Sequence, residues 1–131
     1  MTEQQAFIHL PAEPSSVAKA RGLARKSCAE WGISCAELEL VTSELVTNAV
    51  RHAGGEIDLA ITLRGAVVRI EVADDSPDLP TTQEAAPSAR SGRGLAIVEK
   101  LTGGWWVDWQ AGHKIVGAEL PCDPTDTHPP R

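Results

Sequence analysis

The sequence predicts an α+β two-layer sandwich: a mostly antiparallel (mixed) sheet with its helices packed on one face. Three observations carry that expectation. Apolar residues recur every three to four positions over residues 16–31, over 38–53 and again from Leu95 to Leu101, the period of amphipathic helices. They alternate from Ile57 to Leu63 and continue through Val68, Ile70 and Val72, the period of half-buried strands. The resulting order is strand, helix, helix, strand, strand, helix, strand, strand, which suits helices on one side of an antiparallel sheet.

A chain of 131 residues with 42% hydrophobic and 23% charged residues fits one domain with a real core, over residues 1–120. The net charge of -6 argues against direct nucleic-acid binding, which needs a broad basic face. Cys28, Cys35 and Cys122 are odd in number and lack zinc spacing, so they read as reduced thiols, Cys28 and Cys35 serving as small packing residues. No apolar run approaches the roughly 18 residues that span a bilayer, and the start lacks the order of a secretory signal. The expected location is cytoplasmic, with no membrane association.

The first element is a short strand over residues 6–10, closed by Pro11 and Pro14. Ser15 or Ser16 can cap the helix that follows, Val17, Ala20, Leu23, Ala24 and Cys28 form its stripe, and Trp31-Gly32 ends it. Arg21, Arg25 and Lys26 project from its less apolar sides, for solvation or for a partner protein. Ser34 and Glu37 form a capping-box pattern before the second helix, and Gly54-Gly55 offers its stop. Leu38, Val41, Leu45 and Ala49 make its core face. Gly65 turns the chain between two strands of a hairpin spanning residues 56–73.

Residues 75–91 contain three prolines and little apolar period, which predicts a long loop, either a lid over a site or an idle insertion. Ser91-Gly92-Arg93-Gly94-Leu95 opens the third helix and Gly103-Gly104 stops it. Trp105–Trp109 and Ile115–Leu120 read as the last two strands. Beyond Pro121, residues 121–131 are expected to form a disordered tail, with further prolines and no apolar pattern.

Three sets of polar groups lie where this layout lets them converge. On the second helix, Glu44, Asn48 and Arg51 form a row at helical spacing. The Asn48 amide oxygen suits Mg²⁺, and the Glu44 carboxylate one turn earlier could accept a proton from a hydroxyl or water attacking a phosphate. Asp74, at a strand end, is either a turn residue or an acceptor for an exocyclic amine. Gly92-Arg93-Gly94, at a helix start, offers free N–H groups and close backbone approach to a phosphate. There is no G-x-x-x-x-G-K-[ST], and Gly92-Arg93-Gly94 lacks the third glycine and βαβ context of a dinucleotide fingerprint. His9, His52, His113 and His128 are scattered and read as surface or packing residues.

In this order the three segments resemble the GHKL (histidine-kinase-like) ATPase superfamily, in its single-domain anti-sigma-factor serine kinase branch. Glu44-Leu-Val-Thr-Asn48-Ala-Val-Arg-His52-Ala looks like its N box, Asp74 opens its G1 box, and Gly92-Arg-Gly-Leu-Ala-Ile-Val98 looks like its G2 box. The helix pattern Ser-Val-Ala-Lys-Ala-Arg21 and the stretch Gly112-His-Lys114-Ile-Val are most similar to that branch. The resemblance implies the Bergerat-type ATP-binding fold, with ATP and Mg²⁺ as cofactors. It implies that Asn48 holds the Mg²⁺, Glu44 orients or deprotonates the attacking hydroxyl, and Asp74 binds the adenine amine. Gly92 and Gly94 would wrap the phosphates, with Arg93 and Lys114 as charge partners for the triphosphate or as solvated surface charges. The implied partners are an anti-sigma-factor antagonist, phosphorylated on serine, and a sigma factor, with Arg21 a partner contact and a homodimer possible.

One departure stands out. The G1 box normally has glycines two and four residues after its aspartate, where this chain has Ser76 and Asp78. Two readings follow: a Mg²⁺-ATP-dependent serine/threonine-protein kinase, favoured by Glu44 and Asn48, or a degenerate partner-binding module without phosphotransfer, favoured by the altered box. Length argues against a complete sensor histidine kinase.

Overall fold

The computed structural model describes residues 3–34, 36–52, 55–76, 90–102, 104–110 and 112–123, the side chains of residues 90–95 excepted. Eight elements follow one another: β1 (Glu3–Pro11), α1 (Ser15–Trp31), α2 (Ala36–His52), β2 (Glu56–Arg64), β3 (Val67–Asp74), α3 (Arg90–Thr102), β4 (Trp105–Gln110) and β5 (His113–Pro121). This is the predicted α+β sandwich in the predicted order. The sheet is antiparallel at every pairing, in the order β1-β2-β3-β5-β4, so no parallel pair makes it mixed.

Alternation sets which face is dry. Ile57, Leu59, Ile61 and Leu63 on β2 and Val68, Ile70 and Val72 on β3 are buried, and the residues between them face outward. Val116, Ala118 and Leu120 continue the same row on β5. Arg64 faces Val67 across a two-residue turn, and Gly65 takes φ 62 at its first position, as a type II′ turn requires. The strands run longer than the apolar pattern indicates. β1 starts at Glu3, because pairing with β2 satisfies backbone groups whether or not the side chains are apolar.

The three helices lie on the dry face, with α2 between its neighbours: it packs on α1, on α3 and on β2, β3 and β5. Leu38, Val41, Leu45 and Ala49 are buried as their spacing predicts, and Thr42, Ser43, Val46 and Asn48 are buried with them. A helix enclosed from three sides buries more than one stripe.

Neither Ser15 nor Ser16 caps α1. Pro14 takes that place without a side-chain hydrogen bond, and the Ser16 hydroxyl donates to the Pro11 carbonyl at 2.6 Å, tying the helix start to the strand end. Gly32 closes α1 in the left-handed conformation at φ 69, where its N–H donates to the Cys28 carbonyl. The residue just before α2 lies outside the described residues, as does Gly54. The proposed lid is described only at its ends. There Ser76 is buried, and α3 begins at Arg90, one residue before the expected start. After Pro121 the Cys122 N–H donates to Ala66 and the Asp123 carbonyl accepts from Ser34, so the chain stays attached for two further residues. The rest of the tail lies outside the described residues.

On the open face, Gly117 sits under the Trp106 indole. A Cβ there would come within 2.4 Å of the ring, and the Arg69 guanidinium stacks 5.4 Å from the ring centroid on its way to Glu119. Gly117→Ala is therefore expected to displace Trp106 and cost about 1–3 kcal/mol, the usual penalty for overpacking. Urea denaturation followed by tryptophan emission reads both effects, and unchanged emission and midpoint would refute the close packing.

Candidate functional site

Glu44 and Asn48 lie one turn apart on α2, on the helix that touches α3 and the strands bearing Asp74 and Lys114. The two side chains differ in environment. Asn48 is 4% exposed, and its carboxamide oxygen is buried with no hydrogen-bond partner among the described residues. An acceptor left so in a core is costly, on the order of 1–3 kcal/mol, unless something fills its coordination. Glu44 is half-buried. Burial pushes its carboxyl above its ordinary 4.5, and the positive charge of Arg51 pulls it partly back. Arg51 is exposed and acts on this row through charge alone. A carboxylate with raised proton affinity is a better general base than a solvated one.

Asp74 ends β3 in the same inward phase as Val68, Ile70 and Val72, and is itself buried. Directly across from it in the register stands Lys114, the first inward position of β5. Their side chains, each 1% exposed, form an ion pair with Nζ 3.0 Å from Oδ1. The Ser76 N–H donates to the same oxygen at 2.7 Å, and Lys114 Nζ also donates to the Ser76 carbonyl at 3.3 Å. Lys114 was expected either beside a triphosphate or as a solvated surface charge. It is instead directed at the Asp74 carboxylate. Position 76 takes part in this knot through its backbone N–H and carbonyl.

Gly92 falls in the first turn of α3, where N–H groups have no intrahelical partner and the helix dipole is positive. Gly94 lies further inside the helix. The Arg93 side chain lies outside the described residues. Arg21, on α1, reaches across to the Ser43 hydroxyl at 3.4 Å, beside Glu44 in sequence. Arg25 pairs with Glu39 at 2.9 Å, joining the same two helices.

Two polar features were not found from the sequence. His9, on the exposed end of β1, is paired with Asp58 and with Glu56 at 2.9 Å, and the Asp58 hydrogen bond first of all raises its pKa above 6.5. The second is the Asp74–Lys114 pair. Its signal was present: counting back by twos from Leu120 through Ala118 and Val116 puts Lys114 on the dry face.

With this geometry in place, comparison with known proteins decides the family. Residues 10–113 match the model of the histidine kinase-like ATPase domain. The chain belongs to that family. Its fold is similar to the crystal structure of the RsbU and RsbW domains of Rv1364c from Mycobacterium tuberculosis, at 24% identity and a TM-score of 0.68. That match covers 93% of this chain and 34% of the other, so the chain spans about a third of that structure. It is also similar to the Acinetobacter baumannii histidine kinase AdeS, at 14% identity and a TM-score of 0.53, covering 90% of this chain and 68% of that one. A comparison with curated proteins finds no significant match. No helix among the described residues is long and apolar enough to cross a membrane.

The family implies ATP, usually with Mg²⁺, and the site fits these groups unequally. The Asn48 carboxamide oxygen, without a partner among the described residues, is a hard neutral donor of the type that suits Mg²⁺. Asp74, which the resemblance pairs with the adenine amine, is buried and accepts from Lys114 at Oδ1.

Two measurements test these assignments. Lys114→Met should cost about 3–5 kcal/mol by leaving a buried carboxylate unpaired, whereas Lys114→Met with Asp74→Asn should recover most of that loss. Urea denaturation decides, and equal losses in both variants would show the pair to be energetically idle. For Glu44 the raised folded pKa means that ionisation opposes folding. The protonated form contributes stability below pH 4.5, and that contribution is lost as pH rises through the raised value. The advantage of Glu44→Gln over the parent chain should therefore grow from pH 4.5 to pH 7, and a constant difference would contradict the desolvated carboxyl.

Proposed function

We propose that the chain is a cytoplasmic, Mg²⁺-ATP-dependent serine/threonine-protein kinase that phosphorylates an anti-sigma-factor antagonist and also acts as an anti-sigma factor on a sigma factor. The observation that carries the reading is the pairing, one turn apart on α2, of a buried carboxamide oxygen without a partner among the described residues and a carboxyl of raised proton affinity. Asn48 would hold Mg²⁺ between the nucleotide phosphates, and Glu44 would take the proton of the attacking hydroxyl. Gly92 and Gly94 would lie along the phosphates at the start of α3, with Arg93 beside them. The match to the histidine kinase-like ATPase family supports nucleotide chemistry, and the likeness to a structure containing an RsbW domain supports the anti-sigma branch. Arg21 would contact the partner from α1, and a homodimer would follow the branch.

The Asp74–Lys114 pair favours a second reading, in which the domain captures its partner without phosphotransfer. Transfer of label from γ-labelled ATP to an antagonist that co-purifies with the chain separates the two. The kinase reading expects Mg²⁺-dependent labelling that falls about 10²–10⁴-fold in Glu44→Ala, the range of general-base catalysis. Capture of the antagonist with no labelling by the parent chain would establish the second reading, and full labelling by Glu44→Ala would remove Glu44 from the mechanism.

A further inference from the structure

We propose that Lys114 fills the base-reading position of this site from within, so that the chain holds a nucleoside triphosphate by its phosphates and does not discriminate between purine bases. The inference rests on the nucleotide reading above and deepens it. It starts from the register, which sets Lys114 opposite Asp74 at the ends of two neighbouring inward rows.

A carboxylate reads an exocyclic amine by offering it an accessible, uncommitted lone pair. Asp74 offers none at Oδ1, which accepts from the Ser76 N–H at 2.7 Å and from Lys114 Nζ at 3.0 Å. Neither side chain has an exposed edge, each being 1% exposed. The occupant is also the stronger ligand. An ammonium adds full charge–charge attraction to its hydrogen bond with a carboxylate, whereas an aromatic amine brings an uncharged donor to the same acceptor. It is also tethered to β5, so it competes as an intramolecular donor, at an effective concentration on the order of millimolar or higher. A base that took its place would leave a buried lysine charge without its partner, a state that the fold opposes. Lys114 spends a second donor on the Ser76 carbonyl at 3.3 Å, which ties the residue after Asp75 to the same pair.

Discrimination between nucleobases depends on such a bond. A site built to pair with a substrate donor rejects the analogue lacking it by orders of magnitude, whereas a site without that bond separates the two weakly. Lys114 is therefore a specificity-determining residue that acts by withdrawal: it removes Asp74 from base recognition and leaves binding to the α2 and α3 groups.

Calorimetric titration of the full chain with ATP, GTP and inorganic tripolyphosphate, each with Mg²⁺, tests this. The expected result is ATP and GTP dissociation constants within about threefold of each other, tripolyphosphate within about tenfold of ATP, and an ATP preference of at least tenfold in Lys114→Thr, where the freed carboxylate can accept the amine. An ATP preference of tenfold or more in the parent chain overturns the inference while leaving the proposed function intact. Failure of the parent chain to bind any of the three overturns both. A folded Lys114→Thr without base preference also overturns it, and if that variant does not fold, the three titrations of the parent chain decide alone.

Discussion

The enclosure of α2 is the constraint on which the rest of this structure depends. It lies between two other helices and against three strands, so eight of the twelve residues from Leu38 to Ala49 are buried. An apolar helix would satisfy that position more cheaply. This one places Thr42, Ser43 and Asn48 there, and leaves the Thr42 hydroxyl and the Asn48 carboxamide oxygen without partners among the described residues. The fold tolerates those costs because the surrounding core is continuous, running from Leu10 and the α1 alanines through the inward rows of β2, β3 and β5. Stability held in that core permits an unsatisfied donor set on the central helix.

The same enclosure explains the electrostatics. Glu44, one turn from Asn48, is far enough into the layer to be pushed toward its protonated form, yet near enough to the surface to feel exposed Arg51. Asp74 and Lys114 have no such access, and they solve the problem of burial by neutralising each other. The two ends of this region therefore differ: on α2 the Asn48 oxygen has no partner among the described residues, whereas Asp74 and Lys114 on the sheet satisfy each other. Alternation along β3 and β5 produces this contrast: once the apolar rows face inward, position 74 and position 114 must face inward too.

Much of this was legible in the sequence, because periodicity is a one-dimensional property. The 3.6-residue period of Leu38, Val41, Leu45 and Ala49 and the two-residue period of Ile57 to Leu63 determine element type and inward face before any contact is known. Gly32 and Gly65 mark a helix end and a hairpin turn for a conformational reason that needs no partner. Local chemistry misled in one place: Ser15 and Ser16 have the right type for a cap, but the chain enters α1 through Pro14, and Ser16 is better satisfied by Pro11.

By itself the sequence determined the α+β layout, the order of the elements, the polar row on α2 and its resemblance to a nucleotide-binding family, since spacing along one chain encodes all of these. Only the tertiary structure decided what the charged groups do. Asp74 and Lys114 are separated by 40 residues, and their union depends on β3 and β5 being neighbours in a sheet whose order is β1-β2-β3-β5-β4. The proton affinity of Glu44 likewise depends on burial, which is a sum over elements packed around it. Charge type is written in the residue, but the partner and the local dielectric that give the charge its function are properties of the fold.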